Sequence, residues 1–171
     1  MKRIIITILI AVLCLSSCSL NSGNLTKSAE DHLEHYLLND YKSILEYCAF
    51  NMHEVLNDNY YDWLDAHQGQ NYEWENDYGN NLKCEVEITE IVELEGNDYT
   101  KQYEHISNII DIYEEACLID SEDVTSICNV YFNFSISGDK DGFQGNHNRY
   151  FYKANGKWYT NDLITSTGGF S

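Results

Sequence analysis

The chain has 171 residues, 28 Asp and Glu against 10 Lys and Arg, and a formal charge of −18. Phosphate backbones are held by clustered Lys and Arg, so this composition excludes nucleic acid as a partner and keeps the protein body off anionic lipid. The acids concentrate in Glu85–Asp98 and Asp111–Asp123, which read as solvated, solubilising faces, the alternative being attraction of divalent ions or a cationic partner.

The first element in chain order is a targeting segment. Lys2 and Arg3 precede an apolar run from Ile4 to Leu15, followed by Ser16-Ser17-Cys18. A hydrocarbon layer about 30 Å thick needs roughly twenty apolar residues in a spanning helix, so the run is too short to stay as one and reads as a signal peptide. Leu15-Ser16-Ser17-Cys18 resembles the lipobox of bacterial lipoproteins. The resemblance implies that residues 1–17 are removed, that Cys18 is lipidated, and that the protein sits on the cell membrane or outer envelope, outside the cytoplasm. Two or more acyl chains give a stable anchor where a single one does not. Loss of Lys2 and Arg3 takes the charge from −18 to −20. Residues 18–27 are then the lipidated cysteine and a short polar tether, and residues 28–171 a single α+β domain.

Ser28-Ala29-Glu30-Asp31 offers an N-cap with an acid three residues on, and Leu33, Leu37, Tyr41, Ile44, Cys48, Met52 and Val55 recur at helical spacing. Asn39-Asp40 breaks this stripe, predicting helices over 28–38 and 41–50 and a third turn or helix through 52–66. Residues 67–81, rich in Gln, Asn and Gly, read as a loop. From Leu82 the period becomes two, with Cys84, Val86, Ile88, Val92 and Leu94 on one face and glutamates on the other, which predicts a strand with one wet side. A helix over 99–117 follows, then a long strand over 124–136. Two further strands, 146–154 and 157–164, are joined by Asn155-Gly156, a strong hairpin signal.

This order, helices, strand, helix, three-strand meander, resembles the nuclear-transport-factor-2-like and cystatin-like α+β families, in which helices pack in the concave face of a curved antiparallel sheet. Asn39-Asp40-Tyr41-Lys42 and Asn155-Gly156-Lys157-Trp158-Tyr159 are similar to segments of small exported lipoproteins with such a domain. Those families include enzymes, binding proteins and many domains of unknown role, so the resemblance implies a fold and no particular activity.

Four cysteines follow Cys18, an even number that suits disulfides in an oxidising compartment. The expected bridge is Cys84 to Cys128, both on inward faces of strands that can be neighbours. None is spaced as Cys-x-x-Cys and no histidine pairs with them, so no metal is implied. His32 and His35 share a helical face without a third ligand and read as an exposed polar face. Asp139, Asp141 and Gly142 resemble part of a calcium loop, but position 148 is Asn where a bidentate Glu is required, so they read as a hairpin turn. Ser, Thr and Cys occur in no nucleophile motif and no phosphate loop is present, so no catalytic residue and no cofactor are assigned.

Two features point to binding. Glu90 has the inward phase of an otherwise apolar strand face, where a carboxylate needs a partner or an open cavity unless a bulge turns it outward. Arg149, the one arginine after residue 3, can pair with Glu90 or a ligand anion, or stand as a strand surface residue. Between Asn59 and Tyr78, aromatics including Tyr61, Trp63 and Trp74 alternate with Asn, Gln and Asp. Such a segment either stacks on sugars and peptide side chains or closes the core as a lid. The expected function is a membrane-anchored, non-catalytic binding or interaction module for a protein, peptide or glycan; an enzyme using a cavity in the cone and a structural envelope protein are the alternatives.

Overall fold

The computed structural model describes residues 24–161; the signal segment 1–17, Cys18, the tether to residue 23, and residues 162–164 of the expected last strand lie outside them. Helix α1 covers 24–37, four residues earlier than Ser28 suggests. Leu25, Ala29 and Leu33, each four apart, are buried to 1% exposure or less, and this stripe sets the helix direction. Ser28 is therefore inside the helix, its Oγ 3.5 Å from Asn24 Oδ1. The chain leaves α1 through Asn39, whose φ of +52° is a left-handed conformation that asparagine tolerates.

Helix α2 (Tyr41–Ile44) tightens into a 3₁₀ turn over Leu45–Tyr47, and the chain is then extended rather than helical to residue 50. Cys48, Ala49 and Phe50 are all buried, and three consecutive buried residues cannot lie on one helical stripe. They are instead clamped from both sides. Cys48 bridges Thr160, Phe50 bridges Cys117, and Ala49 accepts from Leu118 N at 2.8 Å. The turn or helix expected through 52–66 is two helices, α3 (Met52–Leu56) and α4 (Tyr60–His67), parted at Asn57 with φ +48°. Helix α5 (Tyr72–Tyr78) occupies the expected loop. Glu73 and Glu75 favour its N-terminal turn, and Gly79, with φ +91°, ends it.

Strands β1 (Lys83–Glu93), β2 (Val124–Ser137), β3 (Gly142–Ala154) and β4 (Lys157–Tyr159) form one antiparallel sheet in the order β1-β2-β3-β4, with helix α6 (Gly96–Ile112) between β1 and β2. The α+β class, helices packed on an antiparallel sheet that ends in a three-strand meander, is that expected from the chain order. Asn155 (φ +50°) and Gly156 (φ +80°) make the tight β3–β4 turn.

Successive strand residues face opposite sides, and both sides of this sheet are used. Cys128, Val130, Phe132 and Phe151 share a core with Leu25, Ala29 and Leu33 of α1. Ile127 and Tyr152, their neighbours of opposite phase, belong instead to a core with Ile106, Ile109 and Ile110 of α6 and with the segment around Cys48. Thus α1 lies along one face, while α6 covers only one end of the other. The rest of that second face carries exposed or half-buried side chains from Tyr131, Asn133, Asn146, Asn148 and Tyr150.

Candidate functional site

The uncovered part of the sheet is where polar side chains converge. In β2 the inward residues Val130, Phe132, Phe134 and Ile136 alternate with Asn129, Tyr131, Asn133 and Ser135; in β3 the facing residues are Gln144, Asn146, Asn148 and Tyr150. Burial of the first set fixes the second on the open face, because a slip of one residue would reverse both strands. Register places Tyr131 opposite Asn148 and Asn129 opposite Tyr150. Asn148 Nδ2 donates to Asn129 Oδ1 at 2.7 Å, and Asn129 Nδ2 donates to the Tyr131 hydroxyl at 3.0 Å. The Tyr131 ring begins at residue 131 and its hydroxyl ends at the side chain of residue 129, so it lies along the strand with surface turned to solvent. It is 39% exposed and Tyr150 is 40% exposed, whereas Asn129 beneath them is only 7% exposed.

Two concavities run together over this face. One, of about 290 Å³, lies where α6 stops covering the sheet, between Gln102, His105 and Ile106 and the β3 residues Tyr150 and Tyr152, with Thr160 and Asn161 beside them. The other, of about 570 Å³, continues across Asn148, Asn146, Asn133 and Tyr131 to Glu90 on β1. Both are lined by His147 and Asn148, so they form one groove across three strands. At the α6 end Tyr152 donates to Asn161 Oδ1 at 2.8 Å, and burial, followed by the nearby Cys48 and Cys117, pushes its hydroxyl pKa upward. The phenol is therefore a fixed donor rather than a base.

Glu90 reaches the groove by a bulge. Ile88 pairs with Phe132 and Glu90 with Tyr131, leaving Thr89 as the extra residue that reverses the strand's phase. Ile91 then takes the inward place opposite Val130, and Glu90 stands on the open face, exposed. Arg149, opposite Val130, has the other phase, and its guanidinium lies 5.4 Å from the Tyr36 ring centroid on α1. The pairing of Glu90 with Arg149 is corrected: they are on opposite faces of the sheet.

The aromatic segment does not converge on a single surface. Tyr61 is 67% exposed and meets His53 and Tyr60; Trp63 is half-buried between Tyr41 and His67; Trp74 is half-buried against Tyr78 and Phe143. Trp63 and Trp74 thus close helix packing. The Cys84–Cys128 bridge is also corrected. Cys84 sits opposite Ile136 and Cys128 opposite Glu93, so from 128 to 136 along β2 they are eight residues apart, about 26 Å at strand rise. All four cysteines among the described residues are free. Burial pushes the Cys48 and Cys84 thiols up to about 12 and Cys128 to about 11.

The expected exposed face of His32 and His35 divides. His32 is 1% exposed in a box of Tyr36, Tyr47 and Phe151, because its position falls beside the buried stripe of α1. His35 Nδ1 lies 2.9 Å from Asp40 Oδ2, which also accepts from Ser43 Oγ at 2.6 Å, while Asp40 Oδ1 accepts from Gln68 Nε2 at 2.8 Å. The serine donates to the carboxylate and not to the imidazole, so this trio does not form a nucleophile and base. It fastens the α1–α2 junction to residues 68–71, where Asn39 Nδ2 donates to Gln70 O and Asn71 Nδ2 to Leu38 O. Among the described residues, no group of three or more His, Cys, Asp or Glu side chains is arranged to hold a metal ion, and no helix is long and apolar enough to cross a membrane.

Comparison of the chain with protein-family models, curated proteins and solved structures returns no match. The functional reading therefore rests on its own residues and geometry.

Proposed function

We propose that this protein is a membrane-tethered, extracytoplasmic binding module that holds a ligand or partner in the groove on the open sheet face without transforming it. The address rests on Lys2-Arg3, the run Ile4–Leu15 and Leu15-Ser16-Ser17-Cys18. The element order supports the resemblance to nuclear-transport-factor-2-like and cystatin-like domains, though the groove lies on the sheet face opposite α1.

The observation that carries the binding reading is the chemistry of the eight outward positions 129, 131, 133, 135, 144, 146, 148 and 150. In a chain with 22% charged residues, none of them is charged. On this same face the neighbouring strand β1 carries Glu85, Glu87 and Glu90, so the uncharged surface is the β2–β3 part, bordered by glutamates. That part presents amides and two exposed rings. Asn148, Asn129 and Tyr131 already hold one another in place, so little side-chain freedom remains to be lost on binding.

The test uses the full chain and solubilised envelope polymers, polysaccharide and peptide, passed over immobilised wild type and a Tyr131→Ala, Tyr150→Ala double variant. Retention by the wild type alone, at equal melting temperatures, is expected. Equal retention by both would remove the groove as the binding site. The address is checked separately: Cys18→Ala is expected to release the protein from membranes or leave the precursor unprocessed. An unmodified, cleaved protein still in the membrane fraction would refute lipidation.

A further inference from the structure

Resting on the groove as the binding site, we infer that its ligand is a neutral polyhydroxylated chain, that is, an uncharged oligosaccharide or polysaccharide. The lining decides among ligand classes. An anionic ligand needs cationic groups, and no lysine lines the groove; its basic side chains are His105, His147, whose ring stacks on Phe132 with Nδ1 taken by the Asn148 backbone, and Arg149, whose guanidinium is over Tyr36 on the other face. The overall charge of −18 adds repulsion to any polyanion. An apolar ligand needs an enclosed hydrophobic pocket, and this groove is open and lined mainly by amides, phenols, two imidazoles and one carboxylate.

Hydroxyl-rich neutral chains match what is present. Side-chain amides donate and accept in one plane, so Asn133, Asn146 and Asn148 serve vicinal hydroxyls whichever way each points. Glu90 at the far end accepts from two hydroxyls with charge-assisted strength. Tyr131 and Tyr150 stand diagonally across the β2–β3 ladder on the same face, at backbone positions about 7–8 Å apart, so one extended ligand can meet both. Each ring offers its face to the C–H side of a sugar while the amides meet the hydroxyl edge. The groove is open across the strands, so it suits an extended chain rather than a small enclosed molecule.

Affinity electrophoresis of the full chain through gels containing a neutral polysaccharide tests this directly. The probes are xylan, a mixed-linkage glucan, galactomannan and glycol chitin, with polygalacturonate as the anionic comparison and a random peptide mixture as the non-glycan comparison. Retardation by at least one neutral polysaccharide and none by polygalacturonate is expected. Affinity for that polysaccharide should fall by about tenfold or more in Tyr131→Ala and in Tyr150→Ala, both exposed enough to leave folding intact. Glu90→Gln should weaken it less, and Tyr61→Ala not at all. No retardation by any neutral polysaccharide, or retardation unaffected by both tyrosine variants, would overturn the assignment. Retention of peptide instead, abolished by the same tyrosine variants, would overturn the glycan assignment while leaving the groove as the binding site.

Discussion

Replacing Gly138 by alanine should detach the β2–β3 turn from helix α5, and the structure gives the size of the effect. A Cβ at residue 138 would stand 2.4 Å from Tyr78 O and 2.9 Å from its carbonyl carbon, both main-chain atoms that no rotamer change can move. The turn must withdraw, and three attachments go with it. Lys140 N donates to Tyr78 O at 2.9 Å, Asp139 N to Asn80 O at 3.0 Å, and Asn81 Nδ2 to the Asp139 carboxylate at 3.0 Å. At about 1 kcal/mol net for each, the loss is about 3 kcal/mol. Gly138 does not require a left-handed φ, so alanine returns up to about 1 kcal/mol by restricting the unfolded chain. The net cost of about 2 kcal/mol corresponds to a melting temperature lower by about 4–8 °C for a chain of this length. Differential scanning calorimetry of the full chain measures it. A melting temperature within about 1 °C of wild type would refute the reasoning, because the close approach at Tyr78 would then not hold the turn.

Asp40 gives a pH signature. Its burial acts to raise the carboxyl pKa, but hydrogen bonds from Ser43 and Gln68 and the neighbouring His35 together hold it below the ordinary 3.8. Its stabilising contribution is therefore present above about 3.8 and lost as pH falls through the lower native value, so the stability gap between wild type and Asp40→Asn should narrow in denaturant titrations as pH falls below 3.8; a gap that stays constant there would contradict the contribution. Peptide mapping without reductant should find no Cys84–Cys128 link, and native protein at about pH 8 should alkylate Cys48 far more slowly than the unfolded chain, since burial suppresses its thiolate. Equal rates would mean the Cys48 segment is open. Phe151, fully buried between α1 and the sheet, should cost about 3–5 kcal/mol as Phe151→Ala by urea denaturation, and less than about 1 kcal/mol would place it outside the core.

The parts of this fold that sequence shows are those governed by period. Alternation over Cys84–Leu94 and Val124–Ile136, and Asn155-Gly156, mark β1, β2 and the last hairpin because one face of each is buried or one turn type is demanded. The parts it hides are settled by contacts distant in the chain. The segment 48–50 is extended because residues 117 and 160 grip it, and α5 forms in a Gln- and Asn-rich stretch because its C-terminal end docks on the turn at 138–140. Thr89 reads as an ordinary strand residue, yet its bulge turns Glu90 onto the open face, so Glu90 and Arg149 cannot meet. Of the groove, sequence names Glu90 and misses the tyrosines and asparagines of β2 and β3. Tyr131 and Tyr150 stand at outward phases among asparagines, an unusual place for large rings, but only the β2–β3 register shows that they share one surface. The aromatic density of segment 59–78 reflects packing of its helices around Trp63 and Trp74.

The central claim is that the open sheet face, and not the aromatic helical segment, meets the ligand. Site-specific photocrosslinking in intact envelopes tests it most directly, with p-benzoylphenylalanine placed in the full chain at Tyr131 or at Tyr61, both exposed tyrosines on different surfaces. The account predicts an ultraviolet-dependent adduct from position 131 and none from position 61. An adduct from position 61 with none from position 131 would contradict it.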